Sequence, residues 1–158
     1  MKKSAHKYSF LEAKQKIEAW CAYRERCHFE VTTKLKEFSL DKEEVDNLLA
    51  HLIQERFVNE QRFADAFVSG KYRIKKWGRN KIIQQLKLKH VPESCILSAL
   101  KTEIDFDEYK NNLFQLATRK WNEKSGDLIQ KRLKVAQFLY NKGYEYELIQ
   151  EVLDEILN

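Results

Sequence analysis

The sequence predicts an all-α fold of three tandem three-helix repeats, elongated and curved. Three observations lead there. Only one proline, Pro92, and four glycines, Gly70, Gly78, Gly126 and Gly143, occur in 158 residues. So few breakers favour long helices, because a strand-rich fold needs many more turn residues. Three segments then align without gaps: LKEFSLDKEEVDNLL from Leu35, LKLKHVPESCILSAL from Leu86 and LYNKGYEYELIQEVL from Leu139. They share apolar residues at the first, sixth, eleventh, fourteenth and fifteenth places, which is how tandem units are recognised. Finally, each lead leucine has another aliphatic residue one turn upstream: Val31, Ile82 and Val135.

The first unit covers residues 1–58. Its opening helix points Ile17, Trp20 and Cys21 inward. Val31, Leu35 and Phe38 then fall at i, i+4 and i+7 on one face of a second helix. Asp41 and Glu44 have the spacing of a capping box and start the third. The second unit covers 59–104, with Phe63, Ala64, Phe67 and Val68 as the buried face of its long helix. Pro92 suits the first turn of its last helix. The third unit covers 105–158, with Tyr109, Leu113, Leu116 and Ala117 facing inward. Gly143 reads as a left-handed helix stop. Breaks fall near 57–59 and 104–106. Helices this short gain most of their stability from packing an apolar face, so neighbouring units are expected to stack. The repeat is also compatible with a single globular helical bundle.

Charge separates the units. The net charge is +5 overall. Residues 1–58 contribute +1, residues 59–104 contribute +6 and residues 105–158 contribute −2. The basic excess is densest in KYRIKKWGRNKIIQQLKLK, residues 71–89, which holds eight basic side chains and no acidic one. Ordinary surfaces mix both signs, so Arg73, Lys75, Lys76, Arg79, Lys81, Lys87 and Lys89 are the candidate contact face for an acidic partner. Lys71 is a weaker candidate because it can point back along its own helix. Trp77 beside Gly78 either anchors a helix junction or joins the contact face. Basic and aromatic groups together suit nucleic acid, and equally an acidic protein groove.

No catalytic constellation stands out, and no enzyme is expected. Neither a Walker-type nor a G-x-G-x-x-G phosphate loop occurs. His6, His28, His51 and His90 lack ligand spacing, and Cys27-His28 are adjacent and so do not share a helix face. No metal and no cofactor are therefore expected. The odd set Cys21, Cys27 and Cys95, with no C-x-x-C, argues against disulfides; Cys21 and Cys95 read as small core residues. The opening MKKSAHKYSF is basic but leads into no apolar run, unlike a signal peptide. No apolar stretch approaches a membrane span, and a cytoplasmic location is expected.

Within this framework, FVNEQRFADAFVSGKYRIKKWGRNKIIQQLKLKHVPESCILSAL resembles the central signature of the RecX family. The matching positions are Arg62, Phe63, Ala64, Phe67, Val68, Arg73, Gly78, Ile82, Leu86, Lys89 and Val91. YRERCHFEVTTKL is similar to the family's opening signature through Arg26, Glu30, Val31, Lys34 and Leu35. FLYNKGYEYELIQEVL is similar to its closing one through Phe138, Leu139, Lys142, Gly143, Tyr144 and Ile149. Cys27 stands where the family has serine, His90 where it has glycine, Asn59-Glu60 where it has paired aspartates and Lys142 where it has arginine. The resemblance implies a fold of three-helix repeats and a partner, the RecA filament. It further implies modulation, usually inhibition, of RecA's ATPase, strand-exchange and coprotease activities, binding along the filament groove, and contact with the DNA inside. A monomer with no membrane role is expected. The competing reading is a sequence-independent DNA-binding protein that acts without RecA.

Overall fold

The computed structural model describes residues 8–158. His6 and most of the basic opening stretch lie outside the described residues. Among them the chain forms nine α-helices and no strand. The first unit holds α1 (Phe10–Tyr23), α2 (His28–Lys36) and α3 (Lys42–Gln54). The second holds α4 (Glu60–Arg73), α5 (Arg79–Leu88) and α6 (Glu93–Glu103). The third holds α7 (Phe106–Glu123), α8 (Leu128–Asn141) and α9 (Tyr146–Leu157). No helix of the described residues is long and apolar enough to cross a membrane.

Local chemistry sets the helix ends. Ser9 and Glu12 form a capping box on α1, and Asp41 and Glu44 form the expected one on α3. Asn59, Asp105 and Asp127 cap α4, α7 and α8, each accepting a backbone N–H from three residues on. Such caps satisfy donors that the first helical turn leaves open. Pro92 sits one residue earlier than read, as the N-cap of α6. Its missing N–H costs nothing there, because no helical acceptor waits for it.

The repeat is realised residue by residue. Leu35, Leu86 and Leu139 are fully buried, as are Val31, Ile82 and Val135 one turn earlier. The fifth place, between the second and third helices, is occupied by Ser39, His90 and Gly143, with φ of 54°, 56° and 102°. In the later units the backbone then folds into the same stop: the Val91 N–H reaches the Leu86 carbonyl at 3.2 Å, and Tyr144 reaches Leu139 at 3.2 Å. These six-to-one bonds satisfy carbonyls that a helix end would otherwise strand.

The first unit departs from strict equivalence. Leu40 and Val45 are only half-buried, whereas Val91, Ile96, Tyr144 and Ile149 are buried. In units two and three the turn is seated on the preceding unit. In unit one it meets Tyr8, whose N–H donates to the Phe38 carbonyl at 3.3 Å.

Helix packs on helix mainly within units: α1, α2 and α3 together, α4 with α5 and α6, and α7 with α8 and α9. Adjacent units meet instead through loops and helix starts, an extended arrangement rather than one bundle. Unit one has its own core of nine buried residues, including Ile17, Leu35, Leu48 and Leu52. Units two and three share a single core of twenty. Cys27, from unit one, belongs to that second core.

The two joints use equivalent places. Gly78 is the N-cap of α5, and its N–H donates to the Lys142 carbonyl at 2.8 Å; the Asn80 N–H reaches the Gly143 carbonyl at 2.9 Å. A methyl group on Gly78 would overlap the backbone of Gly143 and Tyr144, so this approach requires glycine. At the first joint the N-cap of α2 is Cys27, whose thiol donates to the Lys89 carbonyl across 3.9 Å.

A basic interface across the second and third units

The left-handed turn at the end of α4 organises the basic stretch. Lys76 has φ of 56°, and the Trp77 N–H closes back on the Lys71 carbonyl at 3.0 Å. The Tyr144 hydroxyl, from unit three, donates to the Lys76 carbonyl at 2.7 Å. Trp77 is half-buried against the core, edge-on to Phe67. Lys81 and Lys71 place their ammonium groups 4.4 and 4.9 Å from its ring centre. Trp77 is thus both an anchor and part of the basic surface, since a cation over an indole face is attracted by the ring quadrupole.

A groove of about 470 Å³ opens between units one and two. Lys71, Lys75, Lys89 and Arg24 line it, together with Trp77 and Phe67. Arg73 and Lys75 are exposed. Arg73 donates from Nε to the Ser69 hydroxyl at 3.1 Å. Lys87 is exposed but stands two residues from both Gln85 and Lys89, which line the groove. Two residues are about 200° of helical turn, so Lys87 faces away from the others.

Two of the basic residues are tied into joints. The Arg79 guanidinium donates to Glu145 of unit three at 2.7 Å and lies 4.8 Å from the Tyr109 ring centre. The Tyr109 hydroxyl donates to Glu145 at 2.6 Å and accepts the Arg79 backbone N–H at 3.0 Å. Burial first, then its bond to Glu145, pushes the Tyr109 hydroxyl far above the ordinary tyrosine range. Glu145 draws the Arg79 guanidinium upward as well. Lys89 bonds Glu30 of unit one at 3.2 Å, and Arg24 meets the same carboxylate at 3.2 Å. Burial raises the Glu30 carboxyl. The Cys27 N–H, Lys89 and Arg24 outweigh that and hold it below the usual carboxylate value.

Cations that sequence reasoning missed come from unit three. The Lys142 ammonium donates to the Lys75 carbonyl at 3.3 Å. Burial lowers its pKa, and so does repulsion from Lys81, Arg119, Lys120 and Lys75. The basic surface therefore continues from α4 and α5 onto α7 and the α8–α9 turn. Lys142 carried a signal, since it and Lys89 both occupy the fourth place of the repeat. The net −2 of its unit concealed it.

Comparison with known proteins places this architecture. Residues 59–100 match a family model described as RecX, second three-helix domain, and residues 107–153 match RecX, third three-helix domain. A regulatory protein RecX of Oceanobacillus iheyensis is 32% identical over 136 residues, covering 85% of this chain and 50% of that protein. One from Chlorobium phaeobacteroides is 32% identical over 133 residues, covering 84% of this chain and 85% of the relative. The chain thus spans only about half the length of the first relative and nearly all of the second. The crystal structure of RecX from Lactobacillus salivarius shares the fold with a TM-score of 0.81 at 21% identity, over 92% of this chain and 95% of that one.

Proposed function

This chain belongs to the RecX family, and on that premise we propose that it binds the RecA filament and restrains it. The regulation covers RecA's ATPase, strand-exchange and coprotease activities. The chain acts as a cytoplasmic monomer without a catalytic centre of its own. It divides at 58/59 and 104/105 into an N-terminal unit, a basic central unit and a C-terminal unit. The observation that carries the reading is the continuous basic surface from the groove beside Lys71, Lys75 and Trp77 to Lys81, Lys142 and Arg119. A modular chain with one extended basic side fits a helical groove whose rims are acidic protein or whose interior holds phosphates. The remaining members of the face are Arg73, Lys76, Arg79 and Lys89, whereas Lys87, on the opposite side of α5, lies outside it. Of these, Arg79 and Lys89 contribute mainly by fixing how the units are set.

Co-sedimentation tests this. The chain is spun with RecA filaments on single-stranded DNA, with the DNA alone and with RecA alone, at moderate salt. Pelleting that requires the filament is the expected result. Equal pelleting with bare DNA would assign the chain to RecA-independent DNA binding. Low salt is avoided, because any basic patch then binds DNA through counterion release.

A further inference from the structure

Asn112 is one of two buried polar residues among those described, 8% exposed in the middle of α7. Its Nδ2 has no hydrogen-bond partner. Thr118, on the same helix, also keeps an unpartnered buried Oγ1. Asparagine is a poor helix-interior residue, and an unmet buried donor is costly, so Asn112 calls for a physical reason.

A pocket of about 290 Å³ lies against the Asn112 side of α7, lined by Lys76, Asn112, Gln115, Leu116 and Arg119. The four α7 residues fall at i, i+3, i+4 and i+7, one side of the helix. Lys76 arrives from unit two on the left-handed turn pinned by the Tyr144 hydroxyl. Neither Lys76 nor Arg119 makes an ion pair among the described residues. The acid one turn beyond Arg119, Glu123, is engaged by Lys120 at 3.0 Å. Turning the Asn112 amide about its last torsion exchanges its two ends, so it can present its NH₂ to the pocket.

We propose that Lys76, Arg119 and the amides of Asn112 and Gln115 form a phosphate-binding site at the junction of units two and three. The donor set suits a tetrahedral dianion or a phosphodiester. It supplies a fork-shaped guanidinium, a point-charge ammonium and neutral amide donors, and no carboxylate lines it. The phosphate comes either from a free phosphate or from a nucleic-acid backbone. The site needs no RecA, so it stands or falls separately from the filament reading.

The test follows the side-chain amide signals of Asn112 and Gln115 by ¹H–¹⁵N NMR. Inorganic phosphate is titrated at constant ionic strength against chloride. Saturable shifts are expected in the parent protein and in Lys87→Gln. In Arg119→Gln and Lys76→Gln, substituted at solvent-accessible side chains, affinity should fall at least tenfold. A single-stranded oligothymidine is then added. Competition with phosphate for the same amide signals identifies a backbone phosphate as the ligand, and phosphate binding without competition identifies a free one. If those amides do not shift saturably with either ligand, or shift equally in Arg119→Gln, the proposal is overturned.

Discussion

Ser39, His90 and Gly143 share one structural place and one backbone conformation, yet only one is glycine. A side chain in that left-handed well costs roughly 1–2 kcal/mol, partly offset by the extra freedom glycine has when unfolded. Ser39 is exposed, so Ser39→Gly should stabilise the chain by about 0.5–1 kcal/mol in chemical denaturation. His90 differs, because its ring packs 4.8 Å from Phe29 across the first joint. Gly143 admits no side chain, since a Cβ would overlap Lys81. Gly143→Ala should destabilise by about 2–5 kcal/mol, through the backbone conformation and the overlap together. Leu86 is fully buried, and Leu86→Ala should cost about 2–5 kcal/mol in the same experiment. These residues were the legible ones: a fixed spacing names the buried face, and glycine after a leucine-led turn names a stop. That Ser39 and His90 adopt the same left-handed conformation was not legible, because neither residue type demands it.

At the scale of elements, helix starts and turns make the joints, and here the sequence was less legible. Arg79 reads as one more cation in a basic run, but its carboxylate partner is Glu145, 66 residues away. No local pattern announces a pair at that separation. Counting charge unit by unit likewise hid Lys142 and Arg119 inside a unit of net negative charge, although folding brings them to the basic surface. The joint is testable by a double-mutant cycle on Arg79 and Glu145, each replaced by alanine. The coupling should be about 1–3 kcal/mol, because the two groups share a hydrogen-bonded network with Tyr109. A value near zero would mean that the pair is merely surface contact. Tyr109→Phe should cost about 1–3 kcal/mol by removing one of the donors to Glu145 and the acceptor of the Arg79 N–H.

For the molecule as a whole, two cores imply two levels of cooperativity. Each unit carries one tryptophan: Trp20, Trp77 and Trp121. In single-tryptophan variants the Trp20 signal should change at lower denaturant than the Trp121 signal, since unit one has the smaller, separate core. Coincident transitions would show one cooperative unit. The first joint should also be acid-sensitive. Glu30 titrates below its ordinary 4.5, so its contribution is fully present above that value and is lost as pH falls through the lowered one. Glu30→Gln should remove that part of the acid response of the Trp20 transition. Architecture was legible from the repeat, whereas the division into one unit with its own core and two with a shared core depends on Gly78 and the tyrosines Tyr72, Tyr109 and Tyr144 stacking across the second joint. We propose that this family member restrains RecA through its basic surface. Reversing charge at Arg73 and Lys75, whose side chains are exposed and make no bond across either joint, tests this most directly. RecA's DNA-dependent ATPase is measured against the parent and against Lys87→Glu, with a circular-dichroism melt as the folding control. Arg73→Glu with Lys75→Glu should lose at least about tenfold in inhibitory potency, roughly 1.4 kcal/mol, with the melt and the Lys87→Glu control unchanged. A well-folded double variant that inhibits at the parent's concentration would contradict it.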